Sequence, residues 1–194
     1  MHLASWAYFG LRLRGIENIP ADGPLVIAPN HQTYADPPLV GIPVRRPIYF
    51  MAWEVLFDRP ILRWLITRLR AFPVNVESTD SRAIREAARL LRTGEALMIF
   101  PEGGRSPDGR LQPFKMGAFR LAVGQKAAVL PVTIDGGTAS WPPSRRFPRP
   151  GRITITYHHV LHPAPGLDPK AAARDLADRT RAAVASALPP GLSG

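Results

Sequence analysis

Short apolar runs alternate with amphipathic helical segments along the chain. Most runs are four to six residues long and are bounded by proline or glycine, which is typical of buried strands. The alternation predicts an α/β fold: one domain over residues 1–194, with a mostly parallel central sheet of about seven strands flanked by helices. The predicted strands are residues 11–16, 25–28, 48–51, 72–76, 96–100, 129–134 and 153–161.

Three segments predict helices. The clearest follows Asp80, a favourable N-cap, and ends before Gly94. Its apolar positions at i, i+3, i+4 and i+7 predict a face turned toward the core, with arginines on another face. Residues 118–127 and 169–188 predict two more helices, the last of them a C-terminal packing helix. The apolar positions of the first helix are Ile84, Ala87, Ala88 and Leu91.

Residues 53–70 interleave large apolar side chains with arginines, and Pro60 predicts a division into two short helices. An interfacial helix needs this mixture, because aromatic rings enter the headgroup boundary while guanidinium groups meet lipid phosphates. A buried helix pair with arginines at its rim fits the same pattern. The sequence leaves both interpretations open.

A second basic segment lies between Gly136 and Arg152, where closely spaced prolines predict a long surface loop. Arg145, Arg146, Arg149 and Arg152 make this loop the strongest local positive patch.

The composition excludes some chemistries and indicates the kind of ligand. The chain has no cysteine, which excludes a disulfide scaffold, a cysteine nucleophile and a thiolate metal site. It carries 25 basic residues, three of them lysine, against 15 acidic ones, for a net charge of +10. Nucleic acid, an anionic membrane and a small phosphorylated ligand would all bind such a surface. The arginine excess suits bidentate phosphate binding, although codon usage in a GC-rich genome produces the same bias.

No stretch approaches the roughly 18 to 20 consecutive apolar residues that span a bilayer. Residues 1–10 predict a short apolar N-terminal helix, without the charged start and cleavage site of a signal peptide. If the protein meets a membrane, it therefore lies on it. We expect a peripheral protein on the cytoplasmic side of the cell membrane, with an anionic membrane surface as its partner. Candidate membrane contacts are Trp53, Trp64, Arg145, Arg146 and Arg149.

The first candidate for chemistry is the loop after the second predicted strand. Ligands of open α/β sheets bind at such strand ends. His31 precedes Asp36 by five positions, and Pro37 and Pro38 predict the first turn of a helix, which makes Asp36 the expected N-cap. A non-helical loop between them would let the carboxylate accept the imidazole N–H, orienting the ring as a base. A plain N-cap and a loop histidine would have the same spacing.

The second candidate is the glycine-rich loop that directly follows the predicted strand 96–100. Gly103 and Gly104 permit a tight turn and a close approach to a ligand, and Arg105 can clamp a phosphate or a carboxylate. An ordinary glycine turn with a surface arginine also fits this loop.

Together, the two loops resemble the lysophospholipid acyltransferase family, typified by 1-acylglycerol-3-phosphate acyltransferase. The resemblance extends from about Gly15 to Gly136. The family's first block, Asn-His-x4-Asp, matches Asn30, His31 and Asp36. Its third block, Phe-Pro-Glu-Gly-x-Arg-Ser, matches Phe100, Pro101, Glu102, Gly103, Arg105 and Ser106, and the later blocks Pro-Phe-Lys-x-Gly and Val-Leu-Pro-Val match from Pro113 and Val129.

The resemblance implies a glycerolphosphate-acyltransferase-like fold and acyl transfer from acyl-CoA or acyl carrier protein to a lysophospholipid hydroxyl, most simply that of 1-acylglycerol 3-phosphate. It makes His31 the general base and Asp36 its orienting partner. Arg105 would anchor the acceptor's phosphate, and Glu102 would organise its loop or bind a glycerol hydroxyl. The substrate-binding set comprises Glu102, Gly103, Gly104, Arg105, Ser106 and Lys115. The oxyanion donors would be backbone N–H groups of the glycine loop or of the helix after Asp36.

One family block departs from the pattern. The second block usually ends its strand with an arginine, where this chain has Asn75 and Val76. One phosphate contact is therefore missing, and another lysolipid, an aminolipid or a glycolipid becomes an alternative acceptor.

Other chemistries find no support in the residues. The chain has no Gly-x-Ser-x-Gly elbow and no nucleotide-binding glycine motif. His158, His159 and His162 could suggest a metal, but adjacent residues of a strand point to opposite faces, so we expect no metal. We also expect no cofactor beyond the acyl donor. We expect no nucleic-acid partner, because no recognition helix or aromatic sheet motif accompanies the charge. A basic nucleic-acid-binding module is the alternative that the charge alone suggests.

Overall fold

The computed structural model describes Tyr8 and residues 10–75, 80–142 and 144–193. The expected N-terminal helix at residues 1–10 therefore lies outside the described residues except at Tyr8 and Gly10, and Val76 of the second block also lies outside them. Every helix within the described ranges is too short or too polar to cross a bilayer.

The predicted seven-stranded, mostly parallel sheet is confirmed, in the order β1-β7-β6-β2-β5-β3-β4. Strands β2 to β6 run parallel to one another, whereas β7 pairs antiparallel with β6 and parallel with β1. The strands are β1 (Arg12–Arg14), β2 (Leu25–Pro29), β3 (Ile48–Trp53), β4 (Ala71–Val74), β5 (Ala96–Met98), β6 (Ala128–Asp135) and β7 (Thr154–Tyr157).

The helices mostly follow the predicted segments. Pro60 does separate two short elements, the 3₁₀ helix Glu54–Asp58 and an α-helix, and Asp80 does cap its helix, accepting from two backbone N–H groups. A further 3₁₀ helix spans Ile16–Asn18. The α-helices are α1 (Asp36–Gly41), α2 (Pro60–Arg68), α3 (Ser81–Arg92), α4 (Gly117–Gly124), α5 (Gly137–Ser140) and α6 (Pro169–Ser186).

The sheet is buried on both faces, because alternate residues of its central strands enter two different clusters. Val26 and Ala28 pack with α3, α4 and α6 on one face. Leu25 and Ile27 pack on the other face with α1 and the β1–β7 end of the sheet. The expectation that Ile84 faces the core is wrong: its side chain is 49% exposed, and α3 instead turns alanines and leucines inward.

The site is positioned by strand direction. Strands β2, β5 and β3 are adjacent and parallel, so their carboxyl ends lie on one edge of the sheet. The loop containing His31 follows β2, the glycine-rich loop follows β5, and the 3₁₀ helix Glu54–Asp58 follows β3. The two predicted loops are therefore neighbours in space.

Candidate active site

His31 and Asp36 are in direct contact. The imidazole Nδ1 lies 2.9 Å from Asp36 Oδ2, and the chain between them is non-helical, which is the condition that such a contact requires. The ring stacks on Phe100 of the second loop, with 3.9 Å between the ring centroids. With Nδ1–H donating to the carboxylate, Nε2 carries the lone pair, which is the arrangement of a general base held by an acidic partner.

Asp36 is not the N-cap that the sequence suggested. Ala35 occupies the N-cap, and Asp36 is already the first residue of α1, with its own backbone N–H bonded to the Thr33 carbonyl. Its carboxylate turns back over the preceding loop: Oδ2 accepts the backbone N–H groups of Gln32 and Thr33, and Oδ1 accepts the Thr33 hydroxyl. The completely buried carboxylate thus folds its loop around itself and presents one edge to His31.

The start of α1 offers no oxyanion donor. The backbone N–H of Asp36 is already bonded, Pro37 and Pro38 have none, and the N–H of Leu39 donates to Ala35. One of the two expected sources of oxyanion donors is therefore ruled out by the local sequence.

Two buried amides hold the His31 loop. Asn30 donates its side-chain N–H to the Ile134 carbonyl at 2.9 Å and accepts the Ile134 N–H at 2.7 Å, which ties the loop to β6. Gln32 donates to the Gly109 carbonyl and accepts from the Thr138 backbone. Sequence reasoning missed Gln32, because an exposed loop glutamine has the same sequence signature.

The glycine-rich loop is fastened to the His31 loop by its backbone. The N–H of Ser106 donates to the His31 carbonyl at 2.8 Å, and the Ser106 hydroxyl donates to Asp108. Gly103 adopts a positive φ of 76°, and the Lys115 side chain lies against it, where a Cβ would collide. Ser106 is buried, whereas Gly103, Gly104 and Lys115, which lies against the loop, are exposed.

Glu102 is a buried acid beside His31 and Asp36. Its residue is only 8% exposed, and neither carboxyl oxygen has a hydrogen-bond partner among the described residues. Burial raises the pKa of Glu102 to about 8, and the charge of Asp36 acts in the same direction, while the nearby backbone of His31 and Gln112 opposes the shift. At neutral pH the side chain is therefore mostly a neutral acid that can donate a hydrogen bond.

Arg105 contacts Tyr34 of the loop that contains His31. Its guanidinium carbon lies 3.7 Å from the centroid of the Tyr34 ring, and Nη2 donates to the Tyr34 hydroxyl at 2.8 Å. Tyr34 in turn makes an edge contact with Trp141, at 6.0 Å between centroids. Sequence reasoning missed Tyr34, although an aromatic side chain between the His and Asp of the motif is a usable sign, since arginine stacks on aromatic faces.

Asn75, which stands where the second block usually has an arginine, bonds neighbouring acidic side chains. Asn75 donates its side-chain N–H to Glu54 at 2.7 Å, and its backbone N–H donates to Asp80. Asn75 therefore joins the end of β4 to the 3₁₀ helix after β3 and supplies no positive charge to the site edge.

The segment of residues 53–70 is exposed, so the buried helix pair is wrong. Only Ile66 of α2 is buried, whereas Ile61 is 85% exposed and Trp64 is 60% exposed. Arg68 stacks over Trp64, 4.6 Å from the ring centroid. The loop arginines Arg145, Arg146 and Arg149 are also exposed, as predicted, and Trp53 is exposed at the carboxyl end of β3.

Comparison with known proteins fits this geometry. The chain is 32% identical over 192 residues to a 1-acyl-sn-glycerol-3-phosphate acyltransferase of Chlamydomonas reinhardtii, covering 96% of this chain and 55% of that protein. It is 31% identical to the enzyme of the same name from Pseudomonas aeruginosa, covering 91% of this chain and 68% of that protein. The chain spans about half the length of the algal and plant relatives that it matches.

A solved acyltransferase structure has a similar fold. The 1-acyl-sn-glycerophosphate (LPA) acyltransferase PlsC from Thermotoga maritima has a TM-score of 0.73 and 31% sequence identity, covering 92% of this chain and 73% of that chain. A model of the family described as Acyltransferase matches residues 10–135, a range that contains both loops of the site. The chain therefore belongs to the Acyltransferase family.

Proposed function

We propose that the protein transfers a fatty acyl group from a thioester, acyl-CoA or acyl carrier protein, to the hydroxyl of 1-acylglycerol 3-phosphate. The observation that carries the proposal is the His31–Asp36 contact at 2.9 Å, at the edge of the sheet where the glycine-rich loop also lies. The names of the relatives support the same acceptor class.

The proposed reaction is direct transfer. His31 Nε2 takes the proton of the acceptor hydroxyl while its oxygen attacks the thioester carbonyl, and Asp36 stabilises the imidazolium that forms. The tetrahedral intermediate then collapses, the carbon–sulfur bond breaks, and His31 returns the proton to the leaving thiolate. No step requires a metal or a covalent acyl-enzyme.

The oxyanion would be bound by the glycine-rich loop. The N–H of Gly103 is bonded to the Phe100 carbonyl and that of Ser106 to the His31 carbonyl. The N–H groups of Gly104 and Arg105 donate to no described group, which leaves them available to a developing negative charge. Glu102, protonated at neutral pH, would donate a hydrogen bond to an acceptor or carbonyl oxygen.

The acceptor's phosphate would meet Arg105 and Lys115, the two cations of this edge that lie on the glycine-rich loop or against it. Asn75 weakens the case for a phosphate acceptor, because it bonds Glu54 at the position where the second block of the family pattern usually has an arginine. A lysolipid with another headgroup, an aminolipid or a glycolipid is therefore the second candidate acceptor.

The two candidates separate in an acceptor panel. Purified protein is incubated with labelled oleoyl-CoA and either 1-oleoylglycerol 3-phosphate or the matching phosphate-free 1-oleoylglycerol, and the products are identified by mass spectrometry. We expect phosphatidic acid from the phosphate-bearing acceptor. The phosphate-free acceptor should give at least about tenfold less product, because it cannot form the ion pair between its phosphate and the site. Equal product from both acceptors would favour the second candidate.

We also propose that the protein works as a peripheral protein on an anionic membrane at the cytoplasmic side. Support comes from exposed apolar side chains set among exposed arginines, which suits lipid tails and phosphates together. The contact surface includes Trp53 at the site edge. The other members of this docking surface are Ile61, Trp64, Arg63 and Arg68, with Arg145, Arg146 and Arg149 as a second basic contact.

Vesicle flotation tests this surface with a matched pair of variants. Ile61→Asp places a charge in the docking surface, whereas Leu167→Asp changes a comparably apolar side chain, 48% exposed, on the connection between β7 and α6. We expect Ile61→Asp to lower binding to phosphatidylglycerol vesicles at least about fivefold and Leu167→Asp to leave it unchanged. Equal behaviour of the two variants, or equal binding to neutral phosphatidylcholine vesicles, would contradict the assignment.

A further inference from the structure

Tyr34 is the side chain that holds Arg105 in place, and it does so with two different contacts. The tyrosine hydroxyl accepts a hydrogen bond from Nη2 at 2.8 Å, and the ring lies beneath the guanidinium at 3.7 Å. Tyr34 is itself 59% exposed, so burial of its own surface does not explain its place between His31 and Asp36.

Arg105 has a charge that is not neutralised locally. Within residues 10–75, 80–142 and 144–193, no carboxylate lies within 4.0 Å of its guanidinium. A guanidinium has five N–H donors, and the Tyr34 hydroxyl accepts only one of them. The remaining donors stay available for an anion at the edge of the active site.

An unrestrained arginine would lose side-chain entropy on binding such an anion. The planar tyrosine ring and hydroxyl fix the guanidinium before the ligand arrives, which removes part of this cost. The Tyr34 ring also makes an edge contact with Trp141, whose indole N–H donates to the Arg145 carbonyl. The order of contacts is therefore basic loop, Trp141, Tyr34 and Arg105.

We propose that Tyr34 is a positioning residue that presets Arg105 for the phosphate of the acceptor and thereby contributes to acceptor selectivity. The inference rests on the proposed function. Tyr34 acts through Arg105 and takes no part in proton transfer, so its removal should weaken acceptor binding and leave the chemical step nearly unchanged.

Steady-state kinetics of four variants test the proposal, namely Tyr34→Leu, Tyr34→Phe, Arg105→Ala and the double variant Arg105→Ala with Tyr34→Leu. Oleoyl-CoA is the donor, and 1-oleoylglycerol 3-phosphate is the varied acceptor. We expect Tyr34→Leu to raise the acceptor's KM about tenfold with kcat changed less than about twofold, because both contacts are lost. Tyr34→Phe keeps the ring and should raise KM only about threefold. In an Arg105→Ala background, Tyr34→Leu should have no further effect on KM.

The chain provides a matched control at the opposite edge of the sheet. Arg70 lies over the Tyr49 ring at 5.5 Å and donates to its hydroxyl at 3.3 Å, near the start of β3 and β4. Tyr49→Phe removes the same hydroxyl contact as Tyr34→Phe, away from the site, and should leave the KM unchanged.

The results of these experiments distinguish failure of the proposed Tyr34 role from failure of the proposed function. An active wild type whose Tyr34→Leu variant keeps its KM, or loses kcat instead, contradicts the positioning role and leaves the proposed function standing. The same holds if Tyr34→Leu raises KM equally in the Arg105→Ala background. A wild type that acylates neither the phosphate-bearing nor the phosphate-free acceptor contradicts the proposed function and this inference with it.

Discussion

Glu102→Gln tests whether the buried acid of the glycine-rich loop is neutral. In the folded state burial raises the pKa of Glu102 to about 8, while its ordinary value of 4.5 applies to the unfolded chain. Between these two pH values unfolding releases a proton. The free energy of unfolding therefore falls as the pH rises from about 4.5 to about 8, and it is independent of this group outside that window.

The magnitude follows from the size of the shift. Each pKa unit is worth about 1.4 kcal/mol, so ionisation of Glu102 in the unfolded state removes about 2–3 kcal/mol of stability between pH 5 and pH 7. Glutamine has nearly the same shape, cannot ionise, and replaces a side chain whose two oxygens have no hydrogen-bond partner among the described residues. Glu102→Gln should thus escape this loss.

Urea unfolding followed by tryptophan fluorescence measures the effect at both pH values. The difference between the two proteins, rather than either stability alone, isolates Glu102 from every other titrating group. We expect the variant to gain about 2–3 kcal/mol on the wild type between pH 5 and pH 7. A difference that stays the same at the two pH values would refute the claim that Glu102 is held neutral.

Two further substitutions test the framework of the first loop. Asp36→Asn turns its amide oxygen toward His31 and the N–H groups of Gln32 and Thr33 and removes the negative charge that stabilises the imidazolium, so the acyl transfer rate should fall about 10²- to 10⁴-fold while circular dichroism stays native. A rate within threefold of wild type would contradict the role of Asp36 as the charged partner of the base. Asn30→Ala leaves both polar backbone groups of Ile134 unpaired in the core. Its free energy of unfolding should fall by about 2–4 kcal/mol in urea titrations, and a change below about 0.5 kcal/mol would show that the tie to β6 is not needed.

The sequence predicted best those elements that depend on a few neighbouring residues. Apolar runs bounded by proline and glycine located all seven strands, Pro60 divided its segment, and Asp80 capped its helix. The spacing of His31 and Asp36, with the proline pair after Asp36, left both a contact and a plain N-cap open, and the structure shows the contact. Each of these depends on residues that are close together in the chain.

The remaining features depend on contacts between distant residues. The antiparallel pairing of β7 with β6 and the strand order leave no trace in local patterning. The apolar spacing of α3 is compatible with two core-facing sides, one that includes Ile84 and one beside it. Packing against the sheet selects the second, which buries Ala83, Ala87, Leu90 and Leu91. The Asp36 carboxylate was expected to cap α1, but the amides of Gln32 and Thr33 provide nearer donors.

The central claim is that His31 is the general base of an acyl transfer, and its direct test is the rate of one variant. Labelled oleoyl transfer from oleoyl-CoA to 1-oleoylglycerol 3-phosphate is measured for wild type and His31→Ala, with circular dichroism to confirm that the variant is folded. General-base catalysis predicts a fall of about 10²- to 10⁴-fold in kcat. Near-equal rates for the two proteins would contradict the account.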